Sequence, residues 1–234
     1  MEAVEAEVLG DAEQLAERAA MWFAELARAA PDRFAVALSG GSTPRRLYQR
    51  LAEMDLPWQR IHWFWGDERF VPPDDPLSNY RMTREALFDR APVPEANIHR
   101  VPTVGLEPAT AAERYEGVLQ DYYGGAALRP ARPLFDVVLL GLGTDGHTAS
   151  LFPGTAVLEE RQVWVAPVLG AKEEPRITLT YPALESSRHV AFLVAGADKR
   201  RMLGRLLSGD AEIPAGRLST GRARVFADRS ATGR

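Results

Sequence analysis

The side chains best suited to acid–base chemistry lie in a glycine-rich segment past the middle of the chain. Residues 141–148 read Gly-Leu-Gly-Thr-Asp-Gly-His-Thr, which places Asp145 two residues before His147. An imidazole ordinarily titrates near pH 6.5, so a neutral histidine can accept a proton around neutral pH. Because a turn can aim both side chains at one ligand, the pattern predicts a general base with a carboxylate partner. The alternative is a capping aspartate beside an exposed histidine.

The same segment contains G-x-G-x-x-G, the spacing of a dinucleotide-binding loop. Three observations argue against that interpretation. Asp145 would place a carboxylate in the loop that must hold pyrophosphate, and Pro153 and Gly154 would end the following helix early. The fingerprint also usually opens the first crossover unit of a fold. We therefore predict no dinucleotide cofactor.

A candidate anion site follows the first buried strand, where residues 39–44 read Ser-Gly-Gly-Ser-Thr-Pro. Adjacent Gly40 and Gly41 allow the backbone to approach a ligand closely. With Thr43 as the N-cap and Pro44 as the first helical residue, free N–H groups at a helix N-terminus would favour phosphate. An ordinary capped turn between strand and helix is the alternative.

Further charged residues stand where later strands and helices begin or end. Asp67 and Arg69 follow the second strand and suit acid–base work or sugar-hydroxyl binding, unless they belong to a solvated surface cluster. Arg176 opens a strand and Lys199 opens a helix, so either could neutralise a phosphate. The chain has 28 basic residues, of which only Lys172 and Lys199 are lysines, so a single arginine is weak support for a site.

The remaining candidates indicate structure rather than chemistry. His62 and His189 lie at strand starts and His99 in a short loop, where packing roles are expected. The sequence contains neither the G-x-S-x-G of a serine hydrolase nor the H-E-x-x-H of a metalloenzyme. We expect no metal and no cofactor.

Alternating strands and helices must position these side chains. Apolar runs predict strands over residues 33–38, 61–65, 135–140, 162–168, 176–180, 190–194 and 223–226. Three-and-four spacing predicts helices over residues 11–30, 44–54, 78–88, 109–123 and 198–207. This order predicts an α/β fold, a mostly parallel sheet covered by helices on both faces, as a single domain over residues 1–234. Ligands of such sheets bind outside the carboxyl ends of the strands.

Composition excludes several classes of protein. The 234 residues are 46% hydrophobic and 26% charged, as in a globular chain, and the absence of cysteine excludes disulfides, thiol nucleophiles and iron–sulfur clusters. A net charge of −4 gives no reason to expect nucleic acid. No apolar run reaches membrane-spanning length, and the acidic residues 1–11 do not resemble a signal peptide, so we expect a cytoplasmic protein.

Taken in order, the motifs resemble the 6-phosphogluconolactonase family of the pentose phosphate pathway, within the glucosamine/galactosamine-6-phosphate isomerase superfamily. The segments that carry the resemblance are residues 38–44 (LSGGSTP), 65–69 (WGDER), 78–80 (SNY), 141–154 (GLGTDGHTASLFPG) and 175–180 (PRITLT). The resemblance implies a modified Rossmann-like fold, similar to glucosamine-6-phosphate deaminases and ribose-5-phosphate isomerases. It also implies hydrolysis of 6-phospho-D-glucono-1,5-lactone.

The resemblance implies a role for each candidate residue. His147 would activate water, Asp145 would orient the imidazole, and Arg69 would stabilise the oxyanion. Asp67 and Asn79 would hold sugar hydroxyls or charged neighbours. The phosphate would bind the backbone amides of Gly40, Gly41, Ser42 and Thr43, with Arg176 and Lys199 as counter-charges. The expected partner is a small phosphosugar lactone, with no nucleic acid and no membrane, and the oligomeric state is left open.

Two other functions remain open at this point. The related deaminases carry a glutamate five residues after the histidine and a tyrosine in place of Arg69, whereas this chain has Phe152 and Arg69. Both differences favour the lactonase. A non-catalytic sugar-phosphate binder is the second alternative, and an intact Asp145 and His147 favour an enzyme instead.

Overall fold

The computed structural model describes residues 6–218 and 223–233. Its strands are β1 (Ala6–Leu9), β2 (Phe34–Leu38), β3 (Ile61–Trp65), β4 (Asp67–Arg69), β5 (Phe135–Leu140), β6 (Val165–Val168), β7 (Arg176–Leu179), β8 (Ser187–Val194) and β9 (Ala223–Asp228). Its α-helices are α1 (Ala12–Ala29), α2 (Ser42–Leu51), α3 (Asn79–Thr83), α4 (Pro108–Tyr123), α5 (Tyr181–Glu185), α6 (Arg200–Leu207) and α7 (Arg229–Thr232). A π-helical turn, Arg84–Phe88, continues α3.

Six of these strands form a parallel sheet in the order β1-β9-β8-β5-β2-β3. Every residue of the inner strand β2 is buried, which requires cover on both faces of the sheet. The predicted α/β fold with a mostly parallel sheet and flanking helices is therefore confirmed. From β2 the chain continues to β3 on one side, while β5 lies on the other side. Open α/β sheets bind ligands at such a point, where the connections from one strand lead to opposite sides of the sheet.

A second, three-stranded sheet in the order β4-β7-β6 is antiparallel. The strands predicted over residues 162–168 and 176–180 form β6 and β7 of this sheet, and so they lie outside the parallel one. Only residues 169–175 separate β6 from β7, and a parallel pair needs a crossover of about a dozen residues or more. The short connection therefore makes a hairpin. β4 pairs with the other side of β7, which sets the end of β4 beside the start of β7.

The starts of α1 and α2 compare differently with the two predicted helices, which begin at residues 11 and 44. Asp11 caps α1, since its carboxylate accepts hydrogen bonds from the amides of Glu13 and Gln14, both at 2.9 Å. At α2 the cap is Gly41 with φ 106°, and the helix begins at Ser42. The prediction of Thr43 as the N-cap was therefore wrong. A positive φ at this point is open to glycine at little cost, so the turn closes earlier than the Thr-Pro pair suggested.

Four short elements have no counterpart among the predicted ones: β1, β4, α5 and α7. Each has six residues or fewer, too few to show a helical or strand period. Over the residues that the structure describes, no helix has both the length and the apolar character to cross a membrane.

Candidate active site

A cavity of about 390 Å³ opens at the carboxyl ends of the parallel strands. Most of the predicted site residues line it, although they come from distant parts of the chain. They are Gly40, Gly41, Ser42, Thr43, Asp67, Arg69, Asn79, His147, Arg176 and Lys199. Asp145 is the exception, because it lies behind His147 and reaches the cavity through that side chain.

Asp145 and His147 form a hydrogen-bonded pair, referred to below as the carboxyl-end dyad. Nδ1 of His147 lies 2.5 Å from Oδ1 of Asp145, and the same oxygen accepts the His147 backbone amide at 3.1 Å. Partial burial acts to raise the pKa of Asp145, but the hydrogen bonds from His147 outweigh it and lower the pKa. With Nδ1 committed to the carboxylate, Nε2 is the nitrogen left to exchange a proton with a ligand.

The backbone around the dyad is shaped to admit it. A Cβ atom on Gly143 would overlap both the His147 ring and the Asp145 carboxylate, so only glycine fits there. The amide of Gly143 donates to the carbonyl of His147 at 2.8 Å, which closes the loop. The hydroxyl of Thr148 then donates to the carbonyl of Gly141 at 2.8 Å. The dyad is thus fixed by its own loop.

Phe152 is the next neighbour of the dyad. Its ring centroid lies 4.6 Å from that of His147, and the side chain is almost wholly buried. Five residues after His147, the chain therefore places an aromatic ring in contact with the imidazole. This ring supplies no proton acceptor.

The loop at residues 40–43 is held at its start by two side chains. The hydroxyl of Tyr48 donates to the carbonyl of Ser39 at 2.7 Å and accepts the Ser39 amide at 2.9 Å. Burial raises the pKa of Tyr48, so this hydroxyl stays protonated. Gly40 in turn lies so close to the Asn79 side chain that a Cβ atom there would overlap it. The first amides of the ten-residue helix α2 thereby border the cavity.

Asp67 is a buried carboxylate with two fixed neighbours. Its Oδ2 accepts a hydrogen bond from Oγ of Ser150 at 2.6 Å, and its backbone carbonyl accepts one from the Asn79 amide group at 2.9 Å. Ser150 is fully buried and was not among the predicted site residues. A lone serine carries no pattern that would mark it in a sequence.

Glu68 was also missed, because next to Asp67 and Arg69 it looked like part of a surface cluster. It is almost fully buried and accepts the amides of Asn79, Tyr80 and Arg69 at 2.7–2.8 Å, and the Ser78 hydroxyl at 3.1 Å. Burial raises its pKa to about 7, against the lowering effect of those backbone hydrogen bonds. Glu68 therefore ties β4 to the start of α3 and positions Asn79.

Four cations border the cavity. Arg69 and Arg176 are directly opposite each other in the β4–β7 pairing. Arg69 donates to the Leu77 carbonyl at 2.5 Å. The acidic partners of the others are Glu174 for Arg176 and Asp198 for Lys199, each at 3.2 Å. The fourth, Lys172, was not predicted.

The remaining histidines pack on aromatic rings. His62 and His99 approach to 3.1 Å between Nδ1 and Nε2, and His99 stacks on Phe64 with centroids 4.4 Å apart. His189 meets the edge of Trp22 at 6.0 Å. Among the described residues, no group of three or more histidines, aspartates or glutamates could hold a metal ion.

Comparison with known proteins places the chain among characterised families. Residues 10–227 match the family described as glucosamine-6-phosphate isomerases/6-phosphogluconolactonase. A 6-phosphogluconolactonase of Nostoc sp. is 49% identical over 182 residues, which cover 77% of this chain and 74% of that protein.

Solved structures agree with this match. The crystal structure of 6-phosphogluconolactonase from Thermotoga maritima superposes with a TM-score of 0.81 at 34% identity, over 97% of this chain and 98% of that one. A monomeric glucosamine-6-phosphate deaminase superposes with a TM-score of 0.83 over 98% of this chain and 99% of that one. Its identity of 22% indicates a shared fold and no more.

Proposed function

The chain belongs to the family of glucosamine-6-phosphate isomerases and 6-phosphogluconolactonases, and we propose that it hydrolyses 6-phospho-D-glucono-1,5-lactone to 6-phospho-D-gluconate. The relatives named 6-phosphogluconolactonase, at 40–49% identity, support this reaction. The single observation that carries the proposal is the carboxyl-end dyad in one cavity with the amides of residues 40–43. That arrangement offers a base and an anion site to one small molecule.

In the proposed reaction His147 acts as the general base. Its Nε2 takes a proton from water as the water oxygen bonds to C1 of the lactone. The tetrahedral intermediate then collapses, the bond from C1 to the ring oxygen breaks, and the proton passes to that oxygen. Asp145 holds the ring orientation and stabilises the imidazolium that forms between the two steps. No covalent enzyme intermediate is required.

Arg69 is the proposed stabiliser of the oxyanion at C1. It borders the cavity, and one of its Nη atoms is held by the Leu77 carbonyl, which leaves the other donors of the guanidinium to a ligand. A well-placed donor of this kind is worth about 3–4 kcal/mol in the transition state. Asp67 and Asn79, fixed by Ser150 and Glu68, are the proposed partners of the sugar hydroxyls.

The phosphate is proposed to bind at the N-terminus of α2. The amides of residues 40–43 and the positive end of the helix dipole favour an anion there. Arg176 and Lys199 also line the cavity and supply counter-charge. Each is already paired with an acid, Glu174 or Asp198, which fixes its side chain before a ligand arrives. A dianionic phosphate would then find donors that are already ordered.

The deaminase alternative meets an obstacle in Phe152. Its ring lies beside His147, at the position five residues on where the resemblance implies a glutamate in the deaminases. A buried phenyl ring cannot move a proton, so ring opening of glucosamine 6-phosphate would lack that acid–base group. The geometry therefore favours lactone hydrolysis over deamination.

A two-substrate assay tests the proposed function. Freshly made 6-phosphogluconolactone and glucosamine 6-phosphate are offered separately to the purified protein with a chelator present. We expect lactone opening far above the spontaneous rate and no ammonia release. The His147→Ala variant, assayed in parallel, controls for contaminating activity. Ammonia release would support the deaminase instead, and binding without turnover of either compound would support a sugar-phosphate binder.

A further inference from the structure

Lys172 lines the active-site cavity, and the proposed reaction does not use its charge. It is one of only two lysines in the chain, and it lies on the hairpin connection between β6 and β7. Its side chain borders the active-site cavity. It also borders a neighbouring cleft of about 730 Å³, whose walls include Asp145 and Phe152. Lys172 therefore stands on the rim between the two spaces.

The ion pairing of Lys172 differs from that of the other cations in the cavity. Lys199 and Arg176 each have an acidic partner at 3.2 Å. Within residues 6–218 and 223–233, no carboxylate forms an ion pair with Lys172. Its ammonium instead lies 5.1 Å from the centroid of the Phe152 ring. A contact of this type at an exposed site is weak, so the ammonium is available to a stronger anionic partner.

Phe152 also places Lys172 within the cavity. The ring that carries the ammonium is the ring that packs on His147, with centroids 4.6 Å apart. The residues of the 40–43 loop are not among those that line the neighbouring cleft, whereas Asp145 and Phe152 are. Lys172 therefore belongs to the end of the cavity where the dyad works, and not to the proposed phosphate end.

Lactone hydrolysis creates a charge at that end. The substrate is neutral at C1, and the product carries a carboxylate there. We infer that Lys172 binds the C1 carboxylate of the product, an inference that rests on the proposed function. The Lys172 ammonium forms no ion pair with a described carboxylate, and only the Phe152 side chain lies between it and His147. It can therefore approach the new carboxylate as the lactone opens. The lactone, which is uncharged at C1, offers it no such partner there.

Two ligands that differ only at C1 test this role. 6-Phosphogluconate carries the phosphate and the carboxylate, whereas glucitol 6-phosphate is the same open chain with an alcohol at C1. Their affinities are measured by titration calorimetry on the wild type, Lys172→Met, Lys172→Arg and Lys199→Met. The last variant is the matched control, because it removes the only other lysine from the proposed phosphate end of the same cavity.

We expect Lys172→Met to lower the affinity for 6-phosphogluconate by roughly tenfold or more, as for loss of a charge-assisted hydrogen bond. The affinity for glucitol 6-phosphate should stay within about twofold of the wild type. Lys172→Arg should keep most of the preference for the carboxylate. Lys199→Met should weaken both ligands to a similar extent. Lys172 is exposed, so the two Lys172 variants should fold as the wild type does, and thermal unfolding checks all four proteins.

Two results separate failure of this inference from failure of the proposed function. If the wild type binds both ligands and Lys172→Met leaves their affinity ratio unchanged, or weakens both equally, the inference is overturned while the phosphosugar site stands. If the wild type binds neither ligand and does not open the lactone, the proposed function fails and the inference fails with it.

Discussion

Two side-chain pairs that contain a histidine show how the surroundings decide what an imidazole can do. The carboxyl-end dyad pairs His147 with a carboxylate at the rim of an open cavity. The second pair, called here the β3 cluster, consists of His62 in the edge strand β3 and His99 next to that strand. In the dyad the ring nitrogen meets an acid, whereas in the β3 cluster it meets another imidazole.

The surroundings of the β3 cluster explain why it is structural. His62 and Phe64 lie on the same face of β3, since alternate residues of a strand share a face. His99 stacks on Phe64, and the ring of Tyr122 from α4 packs against both histidines at 4.9 and 5.9 Å. Burial and the nearby Arg33 lower the pKa of His62, and burial and His62 lower that of His99 to about 4. Neutral rings that pack in this way stabilise the fold.

Removal of the dyad base should have the largest effect. We expect His147→Ala to lower kcat by about 10²–10⁴-fold with little change in KM, because general-base catalysis acts in the transition state. Steady-state kinetics on 6-phosphogluconolactone measure it. His99→Phe is the matched replacement in the β3 cluster and should leave kcat within about twofold. Equal losses in the two variants would contradict the contrast between the pairs.

Displacement of the dyad without loss of either side chain should come next. In Gly143→Ala the new methyl group would overlap the His147 ring and the Asp145 carboxylate, so we expect kcat to fall by about a hundredfold. Gly204→Ala is the control, because a Cβ atom there meets nothing within 4 Å and alanine favours the helix α6. Full activity of Gly143→Ala would mean that the pairing seen here is not needed.

Removal of the carboxylate charge alone should have a smaller effect. Asp145→Asn keeps the size of the side chain but replaces a charge-assisted hydrogen bond with a neutral one, so we expect kcat to fall by about tenfold. The partial exposure of Asp145 keeps this loss below that of His147→Ala. Comparison of the kcat values of the two variants is the measurement. A loss as large as that of His147→Ala would assign Asp145 a direct part in proton transfer.

The smallest effect should appear only in acid, and in stability rather than activity. The pKa of His99 is about 4 in the folded chain, below its usual value of about 6.5, so the unfolded chain binds more protons as the pH falls. This pair therefore costs no stability above about pH 6.5 and destabilises the fold progressively from there towards pH 4.

Thermal unfolding of the wild type and His99→Phe at pH 7 and pH 5 tests this dependence. We expect the fall in Tm between the two pH values to be smaller in the variant, because phenylalanine keeps the stack on Phe64 and does not titrate. The same fall in both proteins would show that His99 has no part in acid sensitivity.

Much of the parallel sheet could be predicted because it depends on local patterns. β5 has the predicted bounds, Phe135–Leu140, and β2 differs by a single residue, since each is a buried apolar run next to a glycine turn. The candidate residues of the site could be predicted in the same way. Several of them, including residues 40–43, Asp67 and His147, come after strands, and the carboxyl ends of parallel strands meet at one edge of the sheet.

The sequence by itself determined the residue types that could do chemistry here and their order after the strands, because those depend on neighbours in the chain. The tertiary structure alone decided what each polar side chain meets. It buried Glu68 under the backbone of α3 and left Lys172 on a ring beside His147. It also set Arg69 opposite Arg176 through an antiparallel pairing. Pairing register and burial depend on segments that lie far apart in the chain, and no local pattern carries that information.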